Sequence, residues 1–133
     1  MSDRPIFPGT IQTATLDIEN GDSTGEQDLL TAGTDGSRIN SISAISDDTA
    51  DVILSIFYND GSTSFRIGSI TVPTLSGTDG ETPSVSLLNV TDLPFLGADL
   101  SLYILGGKKI TIAAQTAVTA AKKVTLVATY GDY

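Results

Sequence analysis

The sequence predicts an all-β fold: a single β-sandwich of about eight strands, with a jelly roll as one arrangement of it, preceded by an extended N-terminal arm. Two observations carry this expectation. Short apolar segments alternate with polar residues at period two, as in half-buried strands. Between them, at roughly 10–15 residue intervals, stand clusters of Gly, Asn, Asp, Ser and Pro with turn chemistry.

Residues 1–9 carry Pro5 and Pro8 around Ile6 and Phe7. Proline removes amide donors and favours extended backbone, so this segment reads as an arm whose Ile6 and Phe7 anchor it. The sandwich domain is expected over 10–133. Ala14, Leu16 and Ile18 alternate with Thr15 and Asp17, giving a first strand. Residues 19–25 form a loop. Leu29 and Leu30 open a second strand, which 33–36 ends. In the third, Ile39, Ile42 and Ile45 recur every three residues, which a flat strand cannot place on one face; a bulge reconciles the spacing.

Val52 to Tyr58 is apolar at nearly every position, which predicts a strand covered on both faces. Asn59-Asp60-Gly61-Ser62 is a hairpin turn, and Ser64 to Val72 returns as its partner. Leu75 to Pro83 reads as a flexible polar connection. Val85, Leu87 and Val90 belong to another strand, and Leu93 to Gly97 is an apolar connection that packs Phe95 under a sheet edge. Strands follow at Leu100 to Leu105, Ile110 to Ala114 and Val124 to Tyr130. The alanine-rich 113–123 segment reads as strand and loop, because threonines interrupt it.

Composition narrows the chemistry. The 133 residues include no histidine, cysteine or tryptophan. Ser-His-Asp and Cys-His nucleophiles cannot be assembled, nor can thiolate- or imidazole-held metals. No enzyme, cofactor or metal is expected. Seven basic residues face sixteen acidic ones, for a net charge of −9. Residues 1–60 hold two basic and eleven acidic residues; 61–133 hold five of each. A negative surface repels phosphate backbones and anionic lipids, so neither nucleic acid nor membrane is an expected partner. No secretory signal is visible at the N-terminus, and synthesis in a cytoplasm is expected.

Three clusters of charged residues are candidates for a site. Asp17, Glu19, Asp22, Glu26 and Asp28, with Asn20, supply oxygens of the kind Ca²⁺ takes, but their order departs from an EF-hand loop and a solvated loop is the stronger reading. Asp47, Asp48 and Asp51 could serve glycoside hydrolysis, whereas carboxylates adjacent on a turn usually cap backbone amides. Lys108-Lys109 and Lys122-Lys123 would sit near strand ends if 110–114 and 124–130 formed a hairpin. There they protect sheet edges or contact the acidic half of another copy.

Three segments carry a resemblance. Leu30-Thr31-Ala32-Gly33-Thr34-Asp35-Gly36-Ser37-Arg38-Ile39 is similar to a "TAG-x-x-GSR" segment of small virion proteins of tailed phages and prophages. Ile56-Phe57-Tyr58-Asn59-Asp60-Gly61 resembles the apolar strand and turn that follow it. Thr125 to Tyr133 resembles their "hhVhAxGGD(Y/F)" ending, except that Tyr130 replaces its first glycine. The resemblance covers about a third of the chain and brings no catalytic residues. It implies a β-sandwich in or on a phage particle. Size, acidity and the arm point from there to a capsid decoration (cement) protein, a homotrimer on the major capsid protein at the virion surface. Pro5, Ile6, Phe7 and Pro8 would be the arm contacts, and Lys108, Lys109, Lys122 and Lys123 subunit contacts. A neck or tail component, or a receptor- or carbohydrate-binding module of a tail fibre, is the alternative.

Overall fold

A computed structural model describes residues 9–89, 91, 93, 94, 96 and 100–133. Pro5, Ile6, Phe7 and Pro8 of the arm, with Val90 and Phe95, lie outside the described residues. Nine strands follow in chain order: β1 (Thr10–Glu19), β2 (Gln27–Thr31), β3 (Ser37–Ser46), β4 (Val52–Asn59), β5 (Ser64–Val72), β6 (Val85–Ser86), β7 (Leu102–Ile104), β8 (Lys109–Ala114) and β9 (Lys123–Asp132). One 3-10 turn, Asn20–Asp22, follows β1.

All pairings are antiparallel. β1 pairs with β9, β2 with β8, β3 with both β6 and β7, and β4 with β5. This is the first-with-last nesting of a jelly roll, with β6 and β7 as two pieces of one strand along the same edge of β3. The nesting distributes the strands over two sheets, β1-β9-β3 with β6 and β7, and β2-β8-β4-β5. The core lies between them. Ile39, Ile42, Leu54, Ile56, Ile110, Ile112 and Leu126 are fully buried there.

The bulge expected in β3 is present. Pairing with β9 shifts between Ile39 and Ser41, leaving Asn40 as the extra residue. Ile39 and Ile42 therefore both face the core at 0% exposure, and the restored alternation turns Ile45 outward. A second bulge, at Ile67 in β5, lies opposite the Ile56–Phe57 step.

Four expectations are corrected. β4 is not covered along both faces: Leu54 and Ile56 are inside, while on the other face Ile53 is 42% exposed although Ser55 beside it is buried. Its apolar outer face reflects a central strand in an open-faced sheet. The connection at 75–83 is tied down: Ser76 is buried, the Gly77 amide donates to the Thr82 carbonyl, and Asp79 caps the Glu81 and Thr82 amides. Among the described residues, the strands expected around 85–90 and 100–105 are paired over Val85–Ser86 and Leu102–Ile104, and the Leu87 amide still donates to the Ile42 carbonyl of β3 at 2.8 Å. Finally, β8 and β9 form no hairpin. They belong to different sheets, joined by a loop that crosses the sandwich.

The turn at 104–107 packs directly on the turn at 33–36. A Cβ at Gly106 would overlap the Thr34 carbonyl, a backbone group that cannot rotate away. Gly106→Ala is expected to destabilise the fold by about 1–3 kcal/mol through overpacking. Chemical denaturation should show a lower midpoint with an unchanged slope.

Candidate interaction surfaces

The three segments that carry the resemblance meet at one end of the sandwich. Asp132, at the end of β9, accepts hydrogen bonds from the Ser37 hydroxyl at 2.5 Å and the Gly33 amide at 3.3 Å. A Cβ on Gly33 would lie 2.9 Å from the Asp132 carboxyl carbon, so this approach requires glycine. The Tyr133 amide donates to the Gly36 carbonyl at 3.1 Å. At the same end, Asp60 caps the Ser62 and Thr63 amides of the β4–β5 turn, and Lys108 Nζ donates to the Asp60 carbonyl at 2.9 Å. The Gly9 amide donates to the Asp132 carbonyl at 2.8 Å, so the chain enters the sandwich here. Gly33, Ser37 and Asp132 of these segments thus form a structural staple at the end where Gly9 joins the sandwich.

The four lysines divide between opposite ends. Lys108 and Lys109 lie at the staple end, where Lys109 pairs with Asp28 at 3.0 Å. Lys122 and Lys123 lie at the start of β9, roughly 30 Å away along a ten-residue strand. Lys123 faces Asp17 at 3.8 Å. Both line a depression of about 440 Å³ with Glu19, Asn20 and Asp47. No ion pair to Lys122 is found among the described residues.

The acidic stretch 17–28 does not converge. Asp17 accepts from Thr125, Asp22 caps the Glu19 amide, Glu26 accepts from Thr111 and Asp28 pairs with Lys109. Among the described residues no group of carboxylates is placed to hold a metal. The second acidic group does cap backbone. Asp47 accepts the Lys123 amide at 2.7 Å, and Asp51 accepts the Thr74 amide at 2.9 Å. Asp48 is 1% exposed. It accepts the Ala50 amide and both the amide and hydroxyl of Thr119, at 2.8–2.9 Å. Burial alone would raise its pKa; the hydrogen bonds from Thr119, with those from the Ala50 and Thr49 amides, outweigh it and hold the carboxyl below its ordinary value. Backbone amides likewise lower Asp60 and Asp79. Burial, with the neighbouring Asp132, raises Tyr130.

The outward face of the five-stranded sheet has a distinct chemistry. Cross-strand register lays it out in rows. Ile11, Gly131, Arg38 and Tyr103 form the first; Thr13, Thr129 and Ser41 the second; Thr15, Val127, Ser43 and Ser86 the third; Asp17, Thr125 and Ile45 the fourth. Among the described residues of these rows, none between Arg38 and Asp17 is charged. Arg38 lies over the Tyr103 ring, 5.8 Å from its centroid. Ile11, Tyr103 and Leu105 are 85%, 57% and 69% exposed on or beside this sheet. Single-residue reading could not assemble this face, because its members come from five strands.

No family model matches the chain, and no curated protein does. Among solved structures, a chain of the acidic stable capsid structure of Helicobacter pylori bacteriophage KHP30 is similar with a TM-score of 0.61. The identity is 13%, over 94% of this chain and 90% of that one. A chain of the cyanophage Pam1 capsid asymmetric unit gives 0.47 at 15% identity, over 100% and 92%. The Drosophila NLP-core also gives 0.47, at 10% identity over 92% and 97%. Likenesses at 0.47 carry no argument here. The first is a likeness of fold along nearly the whole length of both chains: this protein has the β-sandwich architecture of a chain in a phage capsid structure.

Proposed function

We propose that this protein is a non-enzymatic structural component of a phage virion, a decoration protein that binds the outside of the head lattice. The observation that carries the reading is the pair of rows without charge, Thr13-Thr129-Ser41 and Thr15-Val127-Ser43-Ser86, in the middle of the outward face of the five-stranded sheet, on a chain whose net charge is −9. Covering those rows desolvates hydroxyls and aliphatic groups rather than carboxylates, which costs less than burying an acidic surface. The fold shared with a phage capsid chain supports the same reading.

In this proposal the sheet face packs on the major capsid protein. The N-terminal arm, residues 1–9, leaves from the staple end, and Pro5, Ile6, Phe7 and Pro8 anchor it on a neighbouring sheet edge. Three copies around a local three-fold would place three arms on surrounding shell subunits. Lys122 is the lysine best placed for contact with an acidic neighbour, since Lys108, Lys109 and Lys123 already have partners within the chain.

Quantitative mass spectrometry of purified particles, with immunogold labelling, tests the reading. On the order of hundreds of copies spread over the head are expected for a symmetric lattice component. A few copies confined to one vertex or the tail would identify a neck or fibre component instead, and absence from particles would overturn the virion reading. Val127→Asp, at the centre of the uncharged face, is expected to reduce occupancy about 100-fold or more, because an unpaired carboxylate would be buried on docking. Deletion of residues 2–8 is expected to lower occupancy while leaving the thermal midpoint of the free protein unchanged.

A further inference from the structure

The four-stranded sheet also has an outward face, and part of it is recessed. Ser55 of β4 and Ala113 of β8 stand opposite each other on that face, yet they are only 1% and 6% exposed. Small side chains at this pair form the floor of a depression of about 520 Å³. Phe57 and Arg66 wall one side, with the guanidinium 5.5 Å from the ring centroid. Glu26, on the loop before β2, and Gln115, just past β8, complete the walls.

The surroundings restrict what this depression can hold. β8 lies between β2 and β4, and β4 between β8 and β5. Their main-chain groups are committed to the ladders, so an extended peptide finds no strand edge here. Recognition falls to side chains. Glu26 presents a carboxylate, one oxygen of which accepts from Thr111 at 2.6 Å. Arg66 presents guanidinium donors. The Gln115 amide donates to Ser55 Oγ at 3.1 Å, which leaves its carbonyl oxygen to accept. The charges of Glu26 and Arg66 cancel. A free anion would meet the first and a free cation the second, each at a cost. A hydroxyl satisfies both, since it donates to the carboxylate and accepts from the guanidinium. Phe57 supplies an apolar wall against which C–H groups pack. The volume suits a ligand of one or two rings.

We infer that this depression is a binding site for a neutral saccharide of one or two pyranose rings. The site lies on the other sheet from the face assigned to the shell, so docking through that face does not cover it.

Saturation-transfer NMR on the full chain tests the assignment, with glucose, galactose, N-acetylglucosamine and their disaccharides as probes. Transfer from at least one of these at millimolar concentration is expected. Ala113→Leu fills the floor and should weaken that binding about tenfold or more. Arg66→Gln, at an exposed position, removes the charged donor without touching the core and should weaken it too. The thermal midpoint of each variant reports folding separately. Three outcomes would overturn the proposal: no transfer from any neutral probe, transfer in both folded variants as strong as in the wild type, or preferential binding of glucuronate or an acidic peptide. Particle copy number is unaffected by any of these, so the virion reading stands or falls separately.

Discussion

Asp48→Ala is expected to destabilise the fold by about 2–4 kcal/mol, because it strips a buried acceptor from three donors at once. The Asp48 carboxylate joins the β3–β4 turn to the loop that carries the chain from β8 to β9. Its bonds to Thr119 bridge 71 residues of sequence. Removing it leaves the Ala50 and Thr119 amides and the Thr119 hydroxyl without their acceptor in a part-buried site. At roughly 4 °C per kcal/mol for a chain of this size, the thermal midpoint should fall by about 8–16 °C. Asp48→Asn keeps one acceptor oxygen and should fall in between.

The same residue gives the protein an acid limit. The folded pKa of Asp48 lies below the ordinary 3.8, so its contribution is fully present above that value. It is lost as pH falls from there through the folded pKa. Asp60 and Asp79 act in the same direction from the surface. Comparing wild type with Asp48→Asn isolates the buried group: below about pH 4 the wild type should lose stability more steeply than the variant. Parallel loss in both would show that Asp48 does not titrate as described.

Ile56→Ala is expected to cost about 2–5 kcal/mol, from lost transfer free energy and the cavity left behind. Ile56 is 0% exposed, stands opposite Ile112 across the β4–β8 ladder, and lies in the middle of the four-stranded sheet. Ile53, three residues earlier on the same strand, faces outward. Ile53→Ala should cost less than about 1 kcal/mol, as exposed substitutions do. Equilibrium denaturation of the two variants thus compares the inner and outer faces of β4 at these two positions.

Strand positions were legible in the sequence because side-chain alternation is a local property. Thr-Ala-Thr-Leu-Asp-Ile marks β1, Asn59 to Ser62 marks the β4–β5 turn, and the three-residue spacing of Ile39, Ile42 and Ile45 marks the bulge in β3. Composition determined as much about function: without histidine or cysteine, whole classes of chemistry cannot be built. Tertiary structure alone decided which strand lies beside which. A period-two pattern reports which face a residue points to, and carries no information about its neighbour across the ladder. For that reason the sequence leaves a β8–β9 hairpin open, whereas the two strands belong to different sheets. The two lysine pairs consequently went to opposite ends, and the acidic stretch spread over separate partners. The staple of Gly33, Ser37 and Asp132, the buried Asp48, the uncharged sheet face and the recess over Ser55 and Ala113 each join residues distant in sequence. Nesting first strand with last brings them together, and only the packed fold does so.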